Sequence, residues 1–262
     1  MMRLYCAIAL LVAAAGPALA QADAAKIIAP AGVLRAAINY GNPVLAQRGS
    51  TEDDPKGVSA ELARALGKQL GLPVQFVIFH EAGDVSKALP DDRWDVAFLA
   101  IDPQRATGIA FTPPYVVIEG SYVVPKASTL QATEAVDAPG IRIAVAQGSA
   151  YDLYLSRALH HATLVRAKDT AAAVAAFNAG QAEVLAGVRQ PLAELAAANP
   201  SMRLLPGHFQ EIEQAMGIPL THAAGLPIVV KFVEAMKTSG FVANALAASG
   251  QTSAEVAPPA RP

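Results

Sequence analysis

Short apolar runs alternate along the chain with segments in which apolar residues recur at helical spacing. The pattern predicts strands at residues 33–38, 74–79 and 94–101. It predicts a helix over residues 58–70, which ends at Gly71. Strands that alternate with helices are typical of an α/β fold with a largely parallel sheet.

The same order of elements recurs after residue 140. Strands are predicted at residues 141–146, 163–166 and 184–187, with helices over residues 151–159 and 170–179 between them. Two successive units of similar order suggest two similar lobes.

Two apolar runs connect the units. Residues 121–124 lead out of the first unit and residues 215–219 lead back to it. The helix-like stretch that follows has no strand partner of its own, so we assign it to the first unit. We therefore expect a first lobe of residues 26–122 plus 219–250 and a second lobe of residues 127–214.

The N terminus has the three parts of a secretory signal peptide. Arg3 precedes an apolar run of about a dozen residues, which is too short to span a membrane. Pro17 and the small residues after it suit signal peptidase, so we expect cleavage after Ala20 and a periplasmic mature protein. The alternative is a buried N-terminal helix. Cys6, the only cysteine, would leave with residues 1–20.

Composition narrows the choice of partners. The chain has 20 basic and 22 acidic residues, and it contains no basic run or polybasic patch. Nucleic acid and anionic membranes are therefore not expected partners, and we expect a monomer. The tail at residues 251–262 is rich in Ala, Pro and Ser, which predicts disorder.

Four passages resemble the family 3 extracellular solute-binding proteins of ABC importers. They are residues 34–40 (LRAAINY), 57–66 (GVSAELARAL), 94–112 (from WDVA through DPQR to IAFT) and 141–149 (IRIAVAQGS). The resemblance implies a two-lobed Venus-flytrap fold, a type II periplasmic binding protein with two hinge strands. It also implies a small solute in the cleft, an ABC permease of the inner membrane as partner, and no cofactor or metal.

The resemblance implies a set of ligand-binding residues. Arg105 matches the arginine that grips a ligand carboxylate in the family, for which a guanidinium fork is well suited. Tyr40 would supply an aromatic wall, and the turn that opens the second lobe would offer backbone N–H groups at a helix N terminus. The full expected set is Asn39, Tyr40, Ala100, Asp102, Arg105, Gln147, Gly148, Ser149, Ala150 and Arg189.

Simpler interpretations of these residues stay open. Arg105 can be a solvated arginine or one paired with Asp102, and Ser149 can simply cap a helix. Tyr40 can be an ordinary loop tyrosine.

The chain also departs from the family pattern. Val188 falls where amino-acid-binding members place an Asp that holds the ligand ammonium, and Arg189 follows it. His80 and Glu81 lie near the position of a second aromatic residue of the family, so we expect that aromatic wall to be absent or altered. We therefore expect a small organic anion without an α-amino group, for example a dicarboxylate, held between Arg105 and Arg189.

Two other functions remain possible at this stage. Periplasmic cyclohexadienyl dehydratases resemble the same family and use an acid in the cleft, for which Asp102 or Glu81 would be candidates here. A receptor of the same fold can also present its closed form to a membrane sensor. The binding protein is the leading hypothesis, with no catalytic residue assigned.

Overall fold

The structure is a computed structural model that describes residues 15–260, with side chains from Gln21 onward. The predicted signal peptide, residues 1–20, lies outside the described residues except for the backbone of its last six. Helix α1 runs through the predicted cleavage position after Ala20.

Helices and strands alternate in both halves of the chain, as the apolar pattern predicts. The helices are α1 Ala15–Ile28, α2 Val58–Leu70, α3 Ala82–Lys87, α4 Ala150–Ala158, α5 Thr170–Asn178, α6 Arg189–Ala198, α7 Leu226–Thr238 and α8 Phe241–Ala248. The strands are β1 Leu34–Asn39, β2 Val74–Phe79, β3 Val96–Ala100, β4 Ile109–Phe111, β5 Val116–Pro125, β6 Arg142–Ala146, β7 Thr163–Ala167, β8 Val184–Val188, β9 Met202–Leu204, β10 Gln210–Pro219 and β11 Glu255–Val256.

One curled sheet passes through the whole described chain, in the order β2-β1-β3-β10-β5-β8-β6-β7. At one end β1 lies parallel to both β2 and β3, and at the other β6 lies parallel to both β7 and β8. The two central strands, β5 and β10, are antiparallel to each other and to their neighbours. The mixed α/β architecture expected from the sequence is confirmed.

The buried apolar residues form separate cores on the two sides of the central strands. In β5, Val116 and Ile118 belong to the core that α2 and α7 cover, whereas Tyr122 and Val124 belong to a core that includes α4. A strand that contributes to two cores in succession has to cross from one lobe to the other. β5 is therefore a crossing strand. β10 pairs antiparallel with β5, and its buried Ile212, Met216 and Ile218 all belong to the first core. The two strands contain the runs predicted as hinges.

The C-terminal segment differs from the disorder that its composition suggests. Glu255 and Val256 form β11, which pairs antiparallel with β5. Ala257 is 3% exposed, and its N–H donates to the carbonyl of Tyr115 at 3.1 Å. The edge of β5 offers free backbone groups at this point, and a short tail can satisfy them whatever its composition.

Candidate ligand-binding site

A small cavity of about 40 Å³ lies between the two lobes. The first lobe and the central strands contribute Asn39, Gly41, Asn42, Leu45, Ser59, Glu81, Ala82, Phe98, Leu99, Ala100, Arg105, Ile212 and Gln214, and the second lobe contributes Ser149, Ala150, Tyr151 and Val188. Most of these positions follow the ends of strands or open helices, where side chains and free backbone groups of neighbouring elements converge.

Arg105 is the most buried cation of the cavity. It begins a 3₁₀ turn just after β3 and is only 4% exposed. Its Nη1 donates to the carbonyl of Ala100 at 3.0 Å, and its Nη2 donates to the carbonyl of Gly148 in the second lobe at 2.9 Å. The buried Nε has no partner among the described residues. The surface position left open by the sequence is excluded.

The charge of Arg105 is poorly balanced by its surroundings. Burial lowers the pKa of its guanidinium to about 10, and the nearby charge of Asp102 only partly opposes this. Asp102 itself is 3% exposed and forms an ion pair with Arg157 of α4, with Oδ2 and Nη2 2.7 Å apart. The predicted pairing of Arg105 with Asp102 is therefore replaced by a pair that joins the lobes.

The loop after β1 contributes two asparagines to the cavity. The Oδ1 of Asn39 accepts a hydrogen bond from the N–H of Gly41 at 2.9 Å. Asn42 is 8% exposed, and its buried Oδ1 has no partner among the described residues. Tyr40 lies beside the cavity rather than in its lining: it borders a neighbouring groove, and its hydroxyl donates to the carbonyl of Glu52 at 2.7 Å.

The turn that opens the second lobe lies against the first lobe. Ser149 caps α4 by accepting a hydrogen bond from the N–H of Asp152, and both Ser149 and Ala150 line the cavity. Gly148 has a φ of +74° and lies against Gly83 of α3, so that a Cβ built on it would be 2.9 Å from the Gly83 Cα. Gln147 borders a groove on the outer side of Arg105.

The cavity lining includes Val188 but not Arg189, which corrects the expected two-arginine clamp. Val188 lines the cavity. Arg189 does not line it: its Nε lies 3.3 Å from the carboxylate of Glu119, and its Nη1 donates to the carbonyl of Gly207. Val188 ends β8 and Arg189 begins α6, so the backbone passes from strand to helix between the two residues and their side chains take different directions.

Glu81 is a cavity residue whose bonding partner the sequence does not reveal. It is 7% exposed, and its Oε1 accepts a hydrogen bond from the N–H of Thr170 at the start of α5, at 2.7 Å. Burial raises the pKa of Glu81 against the lowering effect of these hydrogen bonds. Tyr151 lies beside it, and burial raises the pKa of its hydroxyl to about 12.

Several lining residues went unrecognised in the sequence. Phe98, Ile212 and Gln214 reach the cavity from β3 and β10, and nothing in a single sequence distinguishes them from ordinary core positions. Arg157 pairs with Asp102 outside the lining, and the sequence indicates its position weakly, because it follows the cavity-lining start of α4 by two helical turns and so lies on the same face.

A family model for bacterial extracellular solute-binding proteins, family 3, matches residues 34–245. The chain belongs to this family. The resemblance of its four sequence passages is thereby confirmed. A search of curated proteins gave no significant match.

Solved structures of the same fold are two-lobed binding proteins. A mutant of ArgBP from T. maritima superposes with a TM-score of 0.72 at 19% identity, over 87% of this chain and 99% of that one. A solute receptor for L-cysteine of Neisseria gonorrhoeae gives 0.73 at 22%, over 86% and 92%. The ancestral amino acid-binding protein AncCDT-1, a precursor of cyclohexadienyl dehydratase, gives 0.69 at 21%, over 84% and 96%. The Venus-flytrap fold is confirmed.

The described residues were also compared with the requirements of a metal site and of a membrane-spanning helix, and they meet neither. Within residues 15–260, no group of three or more His, Cys, Asp or Glu side chains is arranged to hold a metal ion. In that same part of the chain, no helix combines the length and apolar character needed to cross a membrane.

Proposed function

We propose that this protein captures a small carboxylate between its two lobes, outside the cytoplasm, and delivers it to an ABC importer. The observation that carries the proposal is Arg105, a guanidinium buried in the interlobe cavity whose hydrogen bonds go to two backbone carbonyls.

A buried guanidinium without a paired anion is costly, because desolvation disfavours its charge. A carboxylate in the cavity would supply the missing charge and accept a hydrogen bond from the free Nε. The lowered pKa of Arg105 reflects the same lack of compensation. The interaction would be strong because Arg105 itself is only 4% exposed, so water competes little for its charge.

Closure of the two lobes would assemble this site. We propose that residues 26–122 plus 219–250 move against residues 127–214 about β5 and β10. Besides the bond from Arg105 to Gly148, the lobes are joined by the Asp102–Arg157 ion pair and by the bond from the Thr170 N–H to Glu81. A ligand that contacts both lobes would shift the population toward the closed state.

Export and the transport partner rest on different support. The charged, apolar and small-residue regions of residues 1–20 support cleavage after Ala20 and a periplasmic location. Structural neighbours include substrate-binding proteins of amino acid ABC transporters, which supports a permease as the partner.

Calorimetric titration of the mature chain with a panel of organic acids and amino acids tests the proposal. We expect at least one small carboxylate to bind, and we expect Arg105→Met to weaken its binding roughly 100-fold or more, since hydrogen bonds to charged groups contribute about 1.5–3 kcal/mol each. Arg189→Met is the matched control, because Arg189 lies outside the cavity, and should leave the affinity unchanged. Equal binding by both variants would contradict the proposal.

A second function has one observation in its favour. Glu81 lines the cavity with a raised pKa, as a general acid would, and AncCDT-1 is described as a precursor of a dehydratase. Turnover of prephenate or arogenate by the purified protein, abolished in Glu81→Gln, would establish an enzyme. The bond from Thr170 to Glu81 instead supports a role in joining the lobes.

A further inference from the structure

Two polar atoms of the cavity lack partners, and they are of opposite kinds. The Nε of Arg105 is a buried donor, and the Oδ1 of Asn42 is a buried acceptor. Both residues line the same cavity, and both are more than nine-tenths buried. No side-chain hydrogen bond of Asn42 to any described residue is formed, whereas the neighbouring Asn39 amide is used to hold the loop.

Each such atom costs free energy when it is buried without a bond, so a ligand that satisfies both gains affinity. The Nε of Arg105 requires an acceptor, which the carboxylate of the proposed ligand supplies. The Oδ1 of Asn42 requires a donor on the same ligand. If the amide is turned the other way, its N–H₂ occupies that place and binds the oxygen of a hydroxyl equally well.

As the lobes stand in this structure, the free space of the cavity suits a ligand of a few heavy atoms. About 40 Å³ corresponds to roughly three water positions, since about 10–15 Å³ of such volume holds one. The carboxylate and the second polar group must therefore be close together. Besides polar residues such as Ser59 and Gln214, the lining has apolar side chains that suit a short hydrocarbon part, at Leu45, Phe98, Val188 and Ile212.

The charge of the second group follows from the acids around it. A buried ammonium needs an ionised carboxylate nearby. The position where amino-acid-binding relatives place an Asp is Val188 in this chain, which carries no carboxylate. Glu81 is the acidic residue of the lining, and its Oε1 is bonded to the N–H of Thr170. Burial raises the pKa of Glu81, so its surroundings disfavour the charged form that an ammonium would need. A hydroxyl makes no such demand.

We infer that the ligand is a small hydroxycarboxylic acid, with Asn42 as the residue that recognises its hydroxyl and so determines specificity. This inference rests on the proposed function, because it takes the carboxylate at Arg105 as given.

The test compares three acids of nearly equal size: lactate, propionate and alanine. Each is titrated calorimetrically into the mature protein. Lactate should bind at least tenfold more tightly than propionate, because propionate leaves Asn42 without a partner. Lactate should also bind more tightly than alanine, whose ammonium lacks a counter-charge.

The variant Asn42→Ala should lose most of the lactate-to-propionate ratio while it still binds propionate. The Asn42 backbone carbonyl, which accepts from the N–H groups of Leu45 and Ala46, is retained in this variant. Asn244→Ala, an exposed change on α8, is the control and should keep the ratio of the unchanged protein.

The outcomes separate this inference from the proposed function. Equal binding of lactate and propionate that depends on Arg105 would overturn the role of Asn42 alone. Tighter binding of alanine than of lactate would overturn the hydroxy-acid assignment alone. If neither these acids nor any other carboxylate binds, or if Arg105→Met leaves the affinity unchanged, both proposals fail.

Discussion

At the scale of single residues, Arg105 and Glu81 show how burial changes the meaning of a charged side chain. Both line the cavity and both have a pKa shifted toward the neutral form by desolvation. Arg105 can offset the free-energy cost of desolvation by binding an anion. Glu81 offsets part of the same cost by accepting a hydrogen bond from the backbone N–H of Thr170, which belongs to the other lobe.

The titration of Glu81 should make stability depend on pH. Its folded pKa is raised, so its favourable contribution is complete below its ordinary value of 4.5 and is lost as pH rises through the folded pKa. In Glu81→Gln the amide oxygen can still accept from Thr170, but nothing titrates. We expect the variant to melt at a higher temperature than the unchanged protein at about pH 8 and at a similar temperature at about pH 4.

Melting curves over this pH series check the prediction. Asp84 and Asp169 also act on Glu81 and raise its pKa further, so Asp84→Asn serves as a comparison that should reduce the pH dependence only partly. Parallel curves for the unchanged protein and Glu81→Gln at every pH would rule out a buried, titrating Glu81.

At the scale of elements, the backbones of the two lobes approach each other closely between α3 and the turn before α4. A Cβ added to Gly83 would lie 2.9 Å from the carbonyl oxygen of Gln147 and 3.3 Å from the Cα of Gly148. Both contacts are with backbone, which cannot move aside as a side-chain end can. Small residues at this contact let the lobes meet.

Gly83→Ala should therefore oppose closure without harming the first lobe. Alanine favours a helix by about 1 kcal/mol over glycine, so the melting temperature of the free protein should not fall. Ligand affinity should fall roughly tenfold, since forcing extra atoms into a packed contact costs about 1–3 kcal/mol. Ser86→Ala on the same helix is the control. Unchanged affinity, or a radius of gyration with ligand equal to that of the unchanged protein, would contradict the contact.

Local patterns predicted the elements well but not the directions in which their ends face. The strands, the helices and the capping of α4 by Ser149 follow from spacing and from residue type. Arg189 was expected in the cavity but does not line it, because the sequence gives its place next to Val188 and not the direction of its side chain at the start of α6. Glu81 and Thr170 are 89 positions apart, so their bond is invisible until the lobes are assembled.

At the scale of the whole molecule, the last described residues join parts that lie far apart in sequence. β11 pairs with Val116 and Val117 of β5, and the side chain of Gln190 on α6 contacts Ser253. The tail therefore bonds both to a crossing strand and to a helix of the second lobe. Composition could not predict this, because β11 pairs through backbone groups at the free edge of β5 and the Gln190–Ser253 contact forms only in the assembled fold.

Truncation after Gly250 should lower stability without removing the ligand site. The tail contributes a two-residue strand pair, the bond from the Ala257 N–H to Tyr115 and the burial of Ala257. Together these should be worth about 1–2 kcal/mol, which corresponds to a fall in melting temperature of roughly 2–8 °C for a chain of this size.

The position of the tail makes the result specific. A second truncation, after Ala257, keeps β11 and its bonds and should stay within about 2 °C of the full chain. Because no tail residue up to 260 lines the cavity, affinity in the closed state should change little in either truncation. The balance between open and closed lobes can shift in the shorter chain, which loses the contact of Ser253 with Gln190. Equal melting temperatures for the two truncations would mean that the pairing of β11 with β5 does not contribute to stability.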